Sequence, residues 1–510
     1  MLALFVTLYL VATVTIGFYS TKFIKNTGDF VNAGRGLPFV FNSFALFALW
    51  FGAETVFGAS GRFIEGGLLG VIEDPLGSAF CLILFGLFLA RPLYRRNILT
   101  IGDLFKNAYG RKIELISAAL MVFTFFGFIA AQLVALAISL KLIFGFTLTT
   151  GILISSLVVT LYTFMGGMWA ISISDFMQSI IIILGLGILA FMLVSQVGGV
   201  EAVIAKAPEN HFQFFPNATA HDIDEWVSAW CVIGLGSLAS QDIFQRVNSA
   251  RNIKSAVYST YVGAGMYILF SIFPLTIALC ARILYPEIMN PENGFDLQEV
   301  VPQLIMGHMP MFVQIFFFGA LVSAILSTCS GALLAPSTIL AENIIKPLWQ
   351  SRTDRKLHLW TVRLSIIIMS LVSTGMALVE TDIYRLVGDS GIVALVSILV
   401  PTFAAIYHKK PSRMGALWAM FFGLFIWFMR EKAGDIAGWL SIDWWKGFFT
   451  WYSEIPVSAW IIGPIGSLVG YYIGWAIEVC FIKTPVLADE ADNDGQTQVE
   501  EVVNEIHVPH

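Results

Sequence analysis

The stretch Phe47–Gly61, FALWFGAETVFGASG, begins as an apolar membrane helix and within one turn becomes Gly52-Ala53-Glu54-Thr55, with Gly58 and Gly61 following. A segment that only had to cross lipid needs neither small residues nor a carboxylate at its middle. Backbone freed from a helix at membrane depth has to be satisfied by protein, water or an ion. The stretch is therefore read as a helix break that forms half of an ion and substrate site, inside an all-α integral membrane protein.

Composition agrees with that class. The chain has 510 residues, of which 57% are hydrophobic and 13% charged, with a mean hydropathy of +0.78; such values belong to polytopic helical membrane proteins. The net charge of −6 says little about partners, because the acidic end of the chain supplies much of it. Cys81, Cys231, Cys280, Cys329 and Cys480 have neither disulfide nor metal spacing and read as small core residues. The first span starts at Leu2 without a basic leader or a small-residue cleavage site, so it is expected to be retained.

A span needs about 20 apolar residues. Thirteen are expected, near 2–19, 38–57, 70–90, 113–143, 147–165, 169–195, 226–245, 254–283, 311–344, 358–379, 384–407, 413–430 and 456–482. Lys22, Lys25 and Arg35 lie in the first connection; Arg91, Arg95, Arg96, Lys106, Arg111 and Lys112 lie in the third. Later odd-numbered connections carry Arg246, Arg251 and Lys254, then Lys346, Arg352, Arg355 and Lys356, then Lys409, Lys410 and Arg413. The opposite side is poor in Lys and Arg, and its loop from Pro286 to Pro302 is acidic. By the positive-inside rule the N-terminus is outside and the C-terminus cytoplasmic, in the cell membrane.

Spans two to six and seven to eleven form two groups of five. Five being odd, the second group enters the bilayer from the opposite side, as an inverted repeat requires. The expected organisation is a peripheral first helix and cytoplasmic loop (1–35), a first five-helix repeat (36–197), an extracellular loop (198–225) and a second repeat (226–408). Two peripheral helices with a Trp-rich interfacial outer segment follow (409–483), then an acidic, disordered cytoplasmic tail (484–510).

Several stretches resemble the sodium:solute symporter family. Asp29-Phe30 followed by Ala33-Gly34-Arg35 is similar to its motif before the second span. Gly166-Gly167-Met168-Trp169-Ala170, continuing to Ser174-Asp175-Phe176-Met177-Gln178, resembles the signature entering the sixth. Gln241 with Gln245-Arg246 resembles the end of the seventh, and Ala324-Ile325-Leu326-Ser327-Thr328 the ninth-span motif. The resemblance implies a LeuT-type fold of inverted five-helix repeats and a Na+-coupled symporter working by alternating access.

It also implies an ion site. The family's two carbonyl ligands, counted from Gly58 and Gly61, fall on Ala48 and Phe51; the partners fall on the Ala324 carbonyl and the Ser327 and Thr328 hydroxyls. Spacing agrees, since Ala324, Ser327 and Thr328 stand at i, i+3 and i+4 on one helix face. The alternative is that these hydroxyls only join helices. Some members hold a second Na+; Asp175, Ser327 and Ser330 match that pattern, but Gly331 stands where another serine is usual. Asp175 and Ser330 are thus a second ion site or an exit path, with a capping or snorkelling Asp175 as the alternative.

For the substrate, the resemblance points to Glu54 and Thr55, and to Glu73 and Asp74 before Pro75. Ionisable groups at membrane depth are functional candidates by default. Otherwise Glu54 would pair with backbone donors at the break, and Glu73 and Asp74 would sit at a wet helix start. Trp50, Phe128 and the run from Leu161 to Gly167 are similar to those of high-affinity choline transporters, whereas Ser240, next to Gln241, replaces an aromatic residue of theirs. A small cationic or zwitterionic solute is the preferred class, choline- or amino-acid-like; a sugar or a carboxylate such as pantothenate is the alternative. A transporter-like sensor would need a separate partner, because about 28 residues follow the last span. No phosphate-cradling loop or zinc-type cluster points to an enzyme, no nucleic-acid partner is expected, and the oligomeric state is not legible.

Overall fold

A computed structural model of the chain describes residues 1–289, 300–348, 355–433 and 457–481, together with Asp435, Thr450 and Tyr452. The acidic tail, most of the Trp-rich segment and most of the acidic loop between Pro286 and Pro302 lie outside the described residues. Among the described residues the protein is all-α, and the one β-bridge joins Leu37 to Ala250.

Among the described residues ten helices are long and apolar enough to cross a membrane, or eleven when Ala220–Ala239 and Gln241–Ser249, bent by 55°, count as one broken span. The expected thirteen exceeds that count, and two places account for the difference. Phe39–Phe47 is a nine-residue piece, too short to span alone. Leu148–Val197 runs for 50 residues, roughly 75 Å of helix against about 30 Å of hydrocarbon, so it has to turn on the way. It turns at Gly167, whose φ of 52° and ψ of −155° are open almost only to glycine. A Cβ there would lie 2.5 Å from the Phe30 carbonyl oxygen and 2.7 Å from its ring. Gly167→Ala should therefore lose about 1–3 kcal/mol from backbone strain alone, with more from the clash. The check is the melting temperature in detergent, where an unchanged value would show that the turn tolerates a side chain.

The two five-helix groups meet around one helix. Met311–Ile339 is buried without interruption from Phe317 to Ile339 and packs against Leu148–Val197 and Arg111–Phe144. A helix apolar on every side belongs in a core rather than at the lipid. The first helix of each group is interrupted near its middle. One stops at Phe47 and resumes at Glu54 as a π turn leading into Ala59–Gly66. The other stops at Ala239 and resumes at Gln241, Ser240 between them being extended at ψ 137°. Matching breaks in matching positions supply the sign of an inverted repeat that residue similarity between the halves does not.

The remaining helices are peripheral. Leu2–Ser20 leans on Leu148–Val197, with Gly17 against the ring of Tyr162. Arg413–Glu431 and Ala459–Phe481 pack chiefly on each other, and Gly470 and Gly474 bring the backbones of Trp418 and Met414 close, as small residues do between membrane helices. Phe191, Leu371 and Phe421 are exposed on outer helix faces, where lipid would cover them. Cys81, Cys280 and Cys329 are buried as expected, whereas Cys480 is exposed.

Candidate ion and substrate site

The first break runs from Ala48 to Ala53, and its backbone is held by side chains from two other helices. The Ala53 N–H donates to Oε1 of Gln132 at 3.1 Å, and the Ala48 carbonyl accepts from Oγ1 of Thr328 at 3.2 Å. Such partners are what backbone freed inside a membrane requires. Gly52 is small for a visible reason: a Cβ on it would stand 2.5 Å from Thr328 Oγ1 and 2.9 Å from Gln132 Oε1.

Hydroxyls along Met311–Ile339 behave in two ways. Ser337 and Thr338 donate to carbonyls one turn back, at 2.6 and 2.9 Å, and Ser330 donates to the Ser327 carbonyl at 3.0 Å. Ser327 and Thr328 instead leave the helix. Thr328 reaches the Ala48 carbonyl, while Ser327 donates to Oδ1 of Asp175 at 2.5 Å. The structure thus joins Ala48 to Thr328 and Ser327 to Asp175. Phe51 and Ala324 are buried on the same two elements, with the Phe51 ring against Phe47 and Tyr267. All the oxygens expected for Na+ lie in the dry centre of the fold. Among the described residues no cluster of His, Cys, Asp and Glu could hold a metal; carbonyls and hydroxyls suit a hard monovalent cation that has to be released again.

Between the two breaks lies an open-mouthed pocket. Of the residues proposed for the substrate, Trp50, Glu54, Phe128, Ser240 and Gln241 line it, and Phe125, Thr124, Ser237, Ser390 and Asp242 join them. Asp242 was not foreseen. It begins the second half of the second broken helix, and its Oδ2 accepts from Nε1 of Trp50 at 3.1 Å. That bond ties the two breaks together. Its Oδ1 accepts from Ser240 Oγ and from the Ile243 N–H. Glu54 is 5% exposed, and its Oε1 has no hydrogen-bond partner. Gln241 faces the cavity with its carbonyl already engaged by the Ile101 N–H at 2.9 Å. The described lining contains no Lys, Arg or His.

Thr55, Glu73 and Asp74 are placed elsewhere. Thr55 Oγ1 donates to Asp74 Oδ2 at 2.8 Å and meets the Tyr267 hydroxyl at 2.6 Å. Asp74 Oδ1 accepts from Tyr267 and Ser78. This closed, buried polar cluster stands behind the first broken helix and not in the cavity, and Glu73 lies outside the lining too. Successive residues of a helix point in different directions, so Glu54 and Thr55, side by side in the π turn, face different surroundings. Asp175 and Ser330 are both buried beside the ion oxygens, with the Arg246 guanidinium between Asp175 and Gly331.

Comparison with known proteins gives one consistent result. Residues 30–423 match the family model described as "Sodium:solute symporter family". The human high affinity choline transporter 1 is 25% identical over 431 residues, covering 81% of this chain and 73% of that one. A sodium/pantothenate symporter of Haemophilus influenzae is 25% identical over 389 residues, covering 74% of this chain and 75% of that one. Among solved structures, a Na+-coupled sialic acid symporter in a substrate-bound, outward-open state superposes with a TM-score of 0.76 at 18% identity, covering 94% of this chain and 98% of that one. A nucleobase-cation-symport-1 family transporter gives 0.59 at 15% identity, covering 89% and 96%. The fold is the LeuT-type arrangement that the sequence resemblance implied.

Proposed function

The chain belongs to the sodium:solute symporter family, and from that premise we propose that it imports a small organic cation together with Na+. The observation that carries this reading is the cavity, which holds two carboxylates, Glu54 and Asp242, and no basic side chain among its described lining. A buried carboxylate without a counter-charge is costly, and a cationic solute supplies the missing partner. Trp50, Phe125 and Phe128 add aromatic surface suited to an alkylated ammonium group. The relatives named for choline carry a solute of that charge. Sialic acid and pantothenate are anions, which these carboxylates would repel. Ser240 leaves one wall of the cavity without an aromatic, so the favoured solute differs from choline in shape while sharing its charge.

Na+ would sit between the first break and Met311–Ile339, on the carbonyls of Ala48, Phe51 and Ala324 and the hydroxyls of Ser327 and Thr328. Ser327 is prepared for this. Its hydroxyl donates a hydrogen bond to Asp175, so its lone pairs are free for a cation. Ion binding would fasten the broken helix to the central one, complete the cavity beside it and favour the outward-open state; loosening that seam would release both to the cytoplasm. With the basic loops inside, the N-terminus is outside and the C-terminus cytoplasmic.

The test is thermal stabilisation of the purified protein by a panel of quaternary ammonium, amine, zwitterionic, sugar and carboxylate solutes, in Na+ and in K+. Stabilisation is expected from cations and only in Na+; stabilisation by anions alone would overturn the substrate class. In the same assay Ser327→Ala and Thr328→Ala should each raise the Na+ needed for half-saturation at least about tenfold, taking a charged contact as about 1.5–3 kcal/mol. Unaltered Na+ dependence in both variants would sink the ion assignment. Proteoliposomes that bind such a solute without concentrating it would point to a sensor instead.

A further inference from the structure

Asp175 offers a carboxylate, and Ser327 and Ser330 offer hydroxyls, in one dry place beside the proposed Na+ site. Such an oxygen set invites a second cation, but a side chain already stands there. Arg246, from the second broken helix, is fully buried, and its Nη2 lies 3.6 Å from Asp175 Oδ2, which is equally buried. Its Nε donates to the Ala45 carbonyl on the Phe39–Phe47 helix at 2.9 Å. The guanidinium therefore touches the first broken helix, the sixth-span segment and the central helix at once.

Glycine at 331 makes this possible. A Cβ at that position would overlap Nη2 and stand 2.9 Å from Nη1 and 3.0 Å from Cζ of Arg246. The serine side chain and the guanidinium compete for one volume, and in this chain the guanidinium has it. The fit is loose: Nη1 and Nη2 of Arg246 and Oδ2 of Asp175 have no hydrogen-bond partner. Arg246 thus contributes charge more than close coordination.

We infer that Arg246 is a resident counter-cation that takes the place of a second Na+, so that this carrier binds one Na+ per chain. It is a positioning residue, acting through Asp175, whose other oxygen holds the Ser327 hydroxyl of the ion site. Removing the guanidinium leaves Asp175 as a buried, uncompensated charge that a free cation then has to neutralise. The inference rests on the Na+ reading above, and the experiment separates the two.

The experiment is equilibrium binding of radioactive Na+ to the purified full-length protein, without organic solute. Wild type is expected to saturate at one Na+ per chain with a Hill coefficient of one. Arg246→Ala combined with Gly331→Ser vacates the volume and restores the hydroxyl, and should saturate at two. Arg246→Lys keeps a fixed cation and should stay at one, while the second Na+ gained by the double variant is a result that a purely structural role for Arg246 does not predict. Two Na+ in wild type would overturn this inference alone, and no Na+ in wild type would overturn the ion site and this inference with it. A folded double variant that still binds one Na+ would also overturn it. If that variant does not fold, the wild-type stoichiometry decides.

Discussion

Gly52→Ala is expected to abolish the Na+ response. Its methyl group would enter space already held by Thr328 Oγ1 at 2.5 Å, Thr328 Cβ at 2.9 Å and Gln132 Oε1 at 2.9 Å. None of these can yield without consequence. Thr328 bridges to the Ala48 carbonyl and is one of the proposed ion hydroxyls, while Gln132 secures the Ala53 N–H at the far end of the break. Displacing the first spoils the ion site; displacing the second frees a buried backbone donor, which costs about 1–3 kcal/mol. Both effects together should weaken Na+ binding by more than about a hundredfold. Radioactive Na+ binding by protein that elutes as wild type on size exclusion is the check. Half-saturation within twofold of wild type would mean that the ion does not sit at this seam.

Glu54→Gln should have the next largest effect, on the solute. The exchange keeps the shape and removes the charge, so a loss reports electrostatics and not packing. Truncating one member of a buried, desolvated charge pair costs about 2–5 kcal/mol, a loss of roughly thirtyfold or more in affinity for a cationic solute. Asp242→Asn should behave alike, with an additional loss of order because Asp242 also holds the Trp50 indole. In both variants Na+ binding without solute should stay near wild type, because neither side chain is among the ion oxygens. The measurement is solute-dependent stabilisation at saturating Na+. If Glu54→Gln bound cations as tightly as wild type, the proposed class of solute would have lost its main support.

Much of this arrangement was legible in the residues. The Gly52-Ala53-Glu54-Thr55 interruption marked the break, and Ala324, Ser327 and Thr328 marked the facing helix, because both signals are local and follow helical spacing. What was missed depends on partners far apart in the chain. Trp50 and Asp242 are 192 positions apart, and Asp242 passed unnoticed between the more conspicuous Gln241 and Gln245-Arg246. An acid just past the small-residue run Gly234–Ser240 was the available clue. Thr55 and Asp74 were read as substrate contacts, because sequence does not tell which side of a helix turns toward a cavity and which toward Tyr267. The missing serine at position 331 was visible, whereas the guanidinium filling its space was not, since Arg246 reads as a loop-end cation until the fold buries it. Thirteen spans are not confirmed by a count on length and composition among the described residues, because short broken pieces and a helix turned at a single glycine do not register there as separate spans.

In the proposed cycle the pair of cavity carboxylates also decides where the membrane potential acts. If Glu54 and Asp242 both stay ionised and Arg246 balances Asp175, the empty site of the proposed carrier holds two negative charges. One Na+ and one organic cation would cancel them, and the loaded carrier would then cross electrically silent. Voltage then falls on the other half of the cycle, the return of the empty protein. There each charge carried across the full field is worth about 2.3 kcal/mol per 100 mV. A cell that is negative inside would drive the emptied site back outward, resetting the carrier rather than pulling its cargo in.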